Sequence, residues 1–186
     1  MQNTLNSVED SLMIVLAYDL YQYQNISEDL INFVEGKLRK KWKIGALTLN
    51  PNQNLKMRAS QRDMADRDLE HLILSAKDET KKDCIYDVIL NGMNYYEEDS
   101  CNSRKTMLIV VCEMTANGFS TAEDLVLLTE NGIKLYVLAR EGVLTGDEFL
   151  EYMRRIGAMV VEFGGELTFK KALSIFYDHL RKPLDS

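Results

Sequence analysis

Asp19 stands where the apolar run of "MIVLAYDLYQYQ" (13–24) ends, and Glu113 stands in the same way after "LIVVC". A carboxylate at the mouth of a buried strand is placed to ligate a hard cation, to move a proton in catalysis, or to hydrogen-bond an adjacent loop or helix start. Tyr21 and Tyr23 follow Asp19 at i+2 and i+4. Tyrosine joins a large apolar face to a polar tip, a combination that favours protein interfaces. Tyr95 and Tyr96, ahead of the acidic "EEDSCNSRK", read as a second exposed pair. Other chemistries lack their parts. His71 and His179 fall on separate helical patterns with no partner histidine, and no Gly-x-Ser-x-Gly elbow or Ser-His-Asp order can be assembled. No Walker lysine and no Gly-x-Gly-x-x-Gly follows a strand.

Two kinds of segment must position these residues. Nearly continuous apolar runs at 12–18, 44–49, 106–111, 133–139 and 158–163 read as strands buried on both faces. "LKMRAS" (55–60) alternates instead, which predicts an antiparallel edge strand paired with 44–49 through a turn at Asn50-Pro51-Asn52. Between the runs lie helical patterns. In "SEDLINFVEGKLRKKW", Leu30, Val34, Leu38 and Trp42 recur every four residues, with Ser27 as the predicted N-cap. Two helices are predicted in "DMADRDLEHLILSAKD" and "DCIYDVILNGMNYYEED", and capping boxes start others at 121 and 146. Gly132 caps the helix begun at 121, "FGGE" (163–166) turns, and the last helix spans Thr168 to Arg181. Alternation of buried strands and helices gives a doubly wound, mostly parallel α/β sheet, which binds its ligands at the strands' carboxyl ends.

The chain has 186 residues, 46% hydrophobic and 27% charged, which suits one globular domain. The predicted bounds are a tail at 1–11, the domain at 12–182 and a tail at 183–186. A net charge of −7 disfavours direct nucleic-acid binding. The basic "KLRKKWK" (37–43) reads as the solvated end of an amphipathic helix. Three cysteines without CxxC spacing form neither a disulfide framework nor a zinc site, and Cys112 reads as a buried thiol. With a polar N-terminus and no run near 20 apolar residues, the expectation is an intracellular protein without membrane partners.

In strand order and in the placing of its carboxylates, the chain resembles the von Willebrand factor A (VWA) family over nearly its whole length. In that family the first strand ends in Asp-x-Ser-x-Ser, a Thr precedes a middle helix, and a later strand ends in Asp. Together these form a metal-ion-dependent adhesion site whose magnesium accepts a partner's carboxylate. By position, the first motif here is Asp19-Leu20-Tyr21-Gln22-Tyr23, with phenols in place of both serines. Asp83 falls where the Thr belongs, with Thr80 three residues off, and the last acid is Glu113, followed by Met114. The resemblance thus implies a degenerate site at Asp19, Tyr21, Tyr23, Asp83 and Glu113, because a phenol overreaches a serine's position and its neutral oxygen ligates weakly. No metal or cofactor is expected, magnesium being the ion an intact site would hold. Within the family, "KIGALTLN", "SRKTMLIVVCEMTANG", "NGIKLYVLAREG" and "GAMVVEFGGELTFKKAL" look like the VWA subunit of the transcription and DNA-repair factor TFIIH, which stimulates a helicase. Those subunits also carry zinc-binding modules, which residues 1–186 do not contain.

These readings predict a non-catalytic protein–protein interaction domain, a subunit or adaptor of an intracellular complex. The complex is nuclear and the partner a helicase if the TFIIH likeness holds; otherwise the compartment is cytoplasmic. The partner is expected over Asp19, Tyr21, Tyr23, Gln24, Asp83, Glu113, Thr115, Asn117 and Phe119. The alternative is a metal-dependent hydrolase or nuclease using Asp19, Asp83 and Glu113. The net charge opposes a nucleic-acid substrate, and no lysine or histidine sits in either strand-end loop.

Overall fold

The five apolar runs pair side by side into one sheet in the order β2-β1-β3-β4-β5, and every pairing is parallel. The strands are β1 (Glu9–Ala17), β2 (Lys43–Thr48), β3 (Ser103–Val111), β4 (Ile133–Arg140) and β5 (Met159–Phe163). The helices are α1 (Gln24–Lys37), α2 (Ile85–Glu98), α3 (Glu148–Arg155) and α4 (Phe169–Leu180). The computed structural model describes residues 9–38, 42–49, 69–73, 85–98, 103–113, 129–142 and 148–181. The predicted strand at 55–60, its turn and the helix start at 121 lie outside them. Among the described residues no helix is long and apolar enough to cross a membrane.

Parity along β1 divides the core in two. Leu12, Ile14 and Leu16 face α1 and α4, packing with Leu30, Phe33, Val34, Leu173 and Phe176. Met13, Val15 and Ala17 face α2 and α3, packing with Ile85, Ile89, Phe149 and Met153. Helices on both faces bury β1 on both sides, which is why its sequence reads as an unbroken apolar run and not an alternation. Helical residues 69–73 add Leu69 and Ile73 to the α1 side. On the other side Gly92 of α2 lies against the sheet. A Cβ built there meets Met107 Cε at 2.7 Å and Leu47 Cδ1 at 3.2 Å, so the hydrogen lets the helix approach closely.

Several sequence expectations are corrected. β1 and β3 begin three residues before their apolar runs, because a polar pair extends the ladder: Asp10 faces Arg104 in register and the two form an ion pair. Ser11 Oγ also donates to the Arg104 carbonyl at 3.0 Å. Ser27 is not an N-cap. α1 starts earlier, with Tyr23 in the cap position and no side-chain cap bond, while the buried Ser27 hydroxyl bonds the Tyr18 hydroxyl at 3.0 Å. Nor does α1 reach Trp42: Leu38 turns extended (φ −80°, ψ 141°), and Lys43 is already paired with Ser11 and buried in β2. Tyr96 is not exposed, because its hydroxyl turns inward to the carbonyls of Thr106 and Ser11. The last helix is as predicted, with Thr168 Oγ1 accepting from the Lys171 amide at 3.2 Å.

Two glycines in helices should respond oppositely. A Cβ at Gly36 of α1 meets nothing within 4 Å. Gly36→Ala should therefore stabilise the protein by up to about 1 kcal/mol, whereas Gly92→Leu should cost about 1–3 kcal/mol by overpacking. Urea denaturation of the two variants measures both signs.

Candidate functional site

Strand order reverses beside β1, since β2 and β3 flank it on opposite sides. In an open parallel sheet the crevice at such a switch point, outside the carboxyl ends of the strands, is where ligands bind. Ala17 and Val111 pair as the last residues of the β1–β3 ladder, and the Cys112 amide still donates to the Ala17 carbonyl at 3.2 Å. Asp19 and Glu113 each lie two positions beyond that pair, so the topology places both carboxylates at the crevice.

Asp19 organises the loop it begins. Its Oδ1 accepts from the amides of Tyr21 at 2.9 Å and Gln22 at 3.3 Å. Its carbonyl accepts from the amides of Gln22 at 3.1 Å and Tyr23 at 3.0 Å. A short acidic side chain that folds back on its own following backbone makes a compact turn and leads into α1. Tyr21 is carried outward on this turn and is 60% exposed.

Tyr23 has a different role. Its ring meets Tyr18 edge to face with centroids 6.1 Å apart. On its outer side lies Arg140, from the end of β4. The Arg140 guanidinium sits 5.5 Å from the Tyr23 ring centroid, and its Nη1 donates to the Tyr23 hydroxyl at 3.0 Å. The ring thus holds a cation by both its face and its oxygen. Arg140 was absent from the sequence expectations, although the signal was there: like Asp19 and Glu113, it is a charged residue directly after an apolar run.

Under this surface lie two groups unable to ionise readily. Burial pushes the Tyr18 hydroxyl well above its usual range, against the opposing hydrogen bond from Ser27. Burial likewise pushes the Cys112 thiol up to about 12, with Arg140 pulling it down and Glu113 adding to the rise. A thiol so placed is no nucleophile at neutral pH.

Of the nominated residues, the structure brings Asp19, Tyr21, Tyr23, Gln24 and Glu113 to this end of the sheet. Gln24 is exposed at the first position of α1, and Glu113 is partly exposed. Asp83, Thr115, Asn117 and Phe119 lie outside the described residues. Among the described residues no group of three or more His, Cys, Asp or Glu side chains is placed to hold a metal ion.

Comparison with solved structures shows a VWA-like fold. BatB from Bacteroides thetaiotaomicron superposes with a TM-score of 0.67 at 14% identity, covering 95% of this chain and 100% of its own. A von Willebrand factor type A protein from Catenulispora acidiphila gives 0.63 at 7% identity, covering 92% of this chain and 42% of its own. The Rpn10 VWA domain (SpRpn10) gives 0.59 at 10% identity, covering 90% and 94%. No family model and no curated protein matches the sequence.

Two measurements check this geometry. Asp19→Ala should lose about 1 kcal/mol in chemical denaturation, while Asp19→Asn, which keeps an acceptor oxygen for both amides, should stay near wild type. The Cys112 thiol is favoured in its protonated form by folding, so its contribution is full below the ordinary thiol range. Stability should fall as pH rises from about 9 towards about 12, and Cys112→Ala should flatten part of that fall.

Proposed function

We propose that this chain is a non-catalytic protein-interaction domain, an adaptor or subunit of an intracellular assembly, that docks its partner over the carboxyl ends of β1, β3 and β4. The observation that carries this reading is the exposed Tyr21, presented at the sheet's switch point on a turn that Asp19 holds in place. A large ring on a pre-ordered loop loses little freedom on binding, which is what makes tyrosine an effective anchor. The Tyr23–Arg140 pair beside it adds a cation whose position is already set. The partner is met by direct hydrogen bonds and ring packing, without a bridging ion, and Asp19 Oδ1 serves its own loop by accepting two amides. The finer proposal is a TFIIH-like assembly in the nucleus, with this domain regulating a helicase. It rests on the sequence likeness in the core strands alone.

Affinity capture from the native cell with wild type, Tyr21→Ala and Arg140→Ala tests the surface. Loss of the same partner from both variants, with unchanged thermal melting, is the expected result; an unaltered partner set would refute this docking face. A helicase in the wild-type eluate would support the finer proposal. Calorimetry with Mg²⁺ and Mn²⁺ should show no binding tighter than about millimolar. Tighter binding lost in Asp19→Ala would favour a metal-dependent hydrolase instead.

A further inference from the structure

On the opposite flank from α2 and α3, helices α1 and α4 leave a groove of about 450 Å³ between them. Phe33, Leu173 and Tyr177 give it an apolar floor, with the Phe33 and Tyr177 rings edge to face at 6.0 Å. Gly36 lines it without a side chain, leaving open space where a Cβ would stand. The rim is charged. Asp29 lies 3.9 Å from Lys170, and Asp178 lies 3.3 Å from Arg181, whose guanidinium covers the Tyr177 ring at 5.1 Å. Each lining carboxylate is therefore matched by a lining cation. Lys37, the third cation, has no carboxylate within ion-pair distance among the described residues. On a chain of net charge −7, this groove carries an excess of positive charge over an apolar floor.

We propose that the α1/α4 groove is a second docking site, which takes an acidic segment of a partner protein. The segment seats one apolar side chain on Phe33, Leu173 and Tyr177 and sets a carboxylate on Lys37. The apolar floor gives the occupant an anchor pocket of the kind that carries binding energy. The volume is at the low end for small-ligand clefts and suits one or two side chains from a larger partner. Lys37, unmatched among the described residues, selects for a carboxylate beside the anchor. Burial raises the Asp29 carboxyl above its usual value, against the pull of Lys170. A run of phosphates is a worse fit, because it has no apolar side chain to seat on Phe33, Leu173 and Tyr177. This site is separate from the strand-end surface and does not depend on it.

The test titrates the whole ¹⁵N-labelled chain with two amidated hexapeptides, one carrying Leu-Phe between paired glutamates and one carrying Leu-Phe between paired lysines. The acidic peptide should bind in the range of about a millimolar or tighter and shift amide resonances of residues 29–37 and 170–181. The basic peptide should not. Gly36→Leu, which fills the groove from a helical position with room for the side chain, and Lys37→Glu should each weaken the acidic peptide at least about tenfold. Tyr21→Ala should leave it unchanged. The proposal is overturned by no binding, by equal binding of both peptides, by shifts centred elsewhere, or by indifference to both groove variants. A ten-nucleotide oligothymidylate that bound in place of the acidic peptide, and was lost in the same variants, would reassign the groove to phosphate and also overturn it.

Discussion

The pairing of β1 with β3 is the constraint on which the rest of the structure depends. Nine residues of β1 lie in register with nine of β3, from Glu9 opposite Ser103 to Ala17 opposite Val111. The central stretches, Leu12–Ala17 and Met107–Val111, are wholly removed from water. A one-residue slip would exchange the two faces of β1 and send each half of the core to the wrong helices. The same register carries the chain past the ladder at two adjacent points, which is why Asp19 and Glu113 emerge together at the crevice although 94 positions separate them in sequence. The ladder is pinned at its other end by the Asp10–Arg104 pair and by the Tyr96 hydroxyl on the carbonyls of Ser11 and Thr106.

How much of this was legible in the sequence follows from what each residue responds to. Strands buried on both faces answer to a single demand, the exclusion of water, so "MIVLA" and "MLIVV" announce themselves without tertiary information. The parallel doubly wound sheet follows from their alternation with helices. Helix starts are less legible, because capping is a competition among nearby polar groups. Ser27 had the right chemistry for an N-cap, but the buried Tyr18 hydroxyl claimed its oxygen, and the Asp19 turn had already begun the helix earlier. Tyr96 misled for a related reason: a tyrosine near a helix end looks the same in sequence whether its hydroxyl meets water or two carbonyls. Arg140 was missed because its partner, Tyr23, is 117 residues away, a separation that no local pattern spans.

The strand-end surface is organised by electrostatics at short range. Asp19 is used inward, on its own loop, and Arg140 is laid on a ring, so a carboxylate and a guanidinium in the same region are each steered by a different neighbour. Beneath them Tyr18 and Cys112 stay protonated because burial outweighs every nearby polar group. The result is a polar rim over a neutral floor at this end of the sheet.

β5 shows how the same sheet ends. It is five residues long, the shortest of the strands, and among the described residues it is paired only with β4. Glu162 stands exposed within it and reaches Arg154 of α3 at 3.7 Å, while the chain turns away at once through Gly164 and Gly165, both at positive φ, closed by mutual amide–carbonyl bonds between Gly164 and Leu167. An edge this brief, bearing a carboxylate and bent at its exit, offers little template for a strand from another molecule. The molecule therefore carries its own protection against sheet-to-sheet aggregation at this margin, which would matter most when it is crowded at high concentration or newly made.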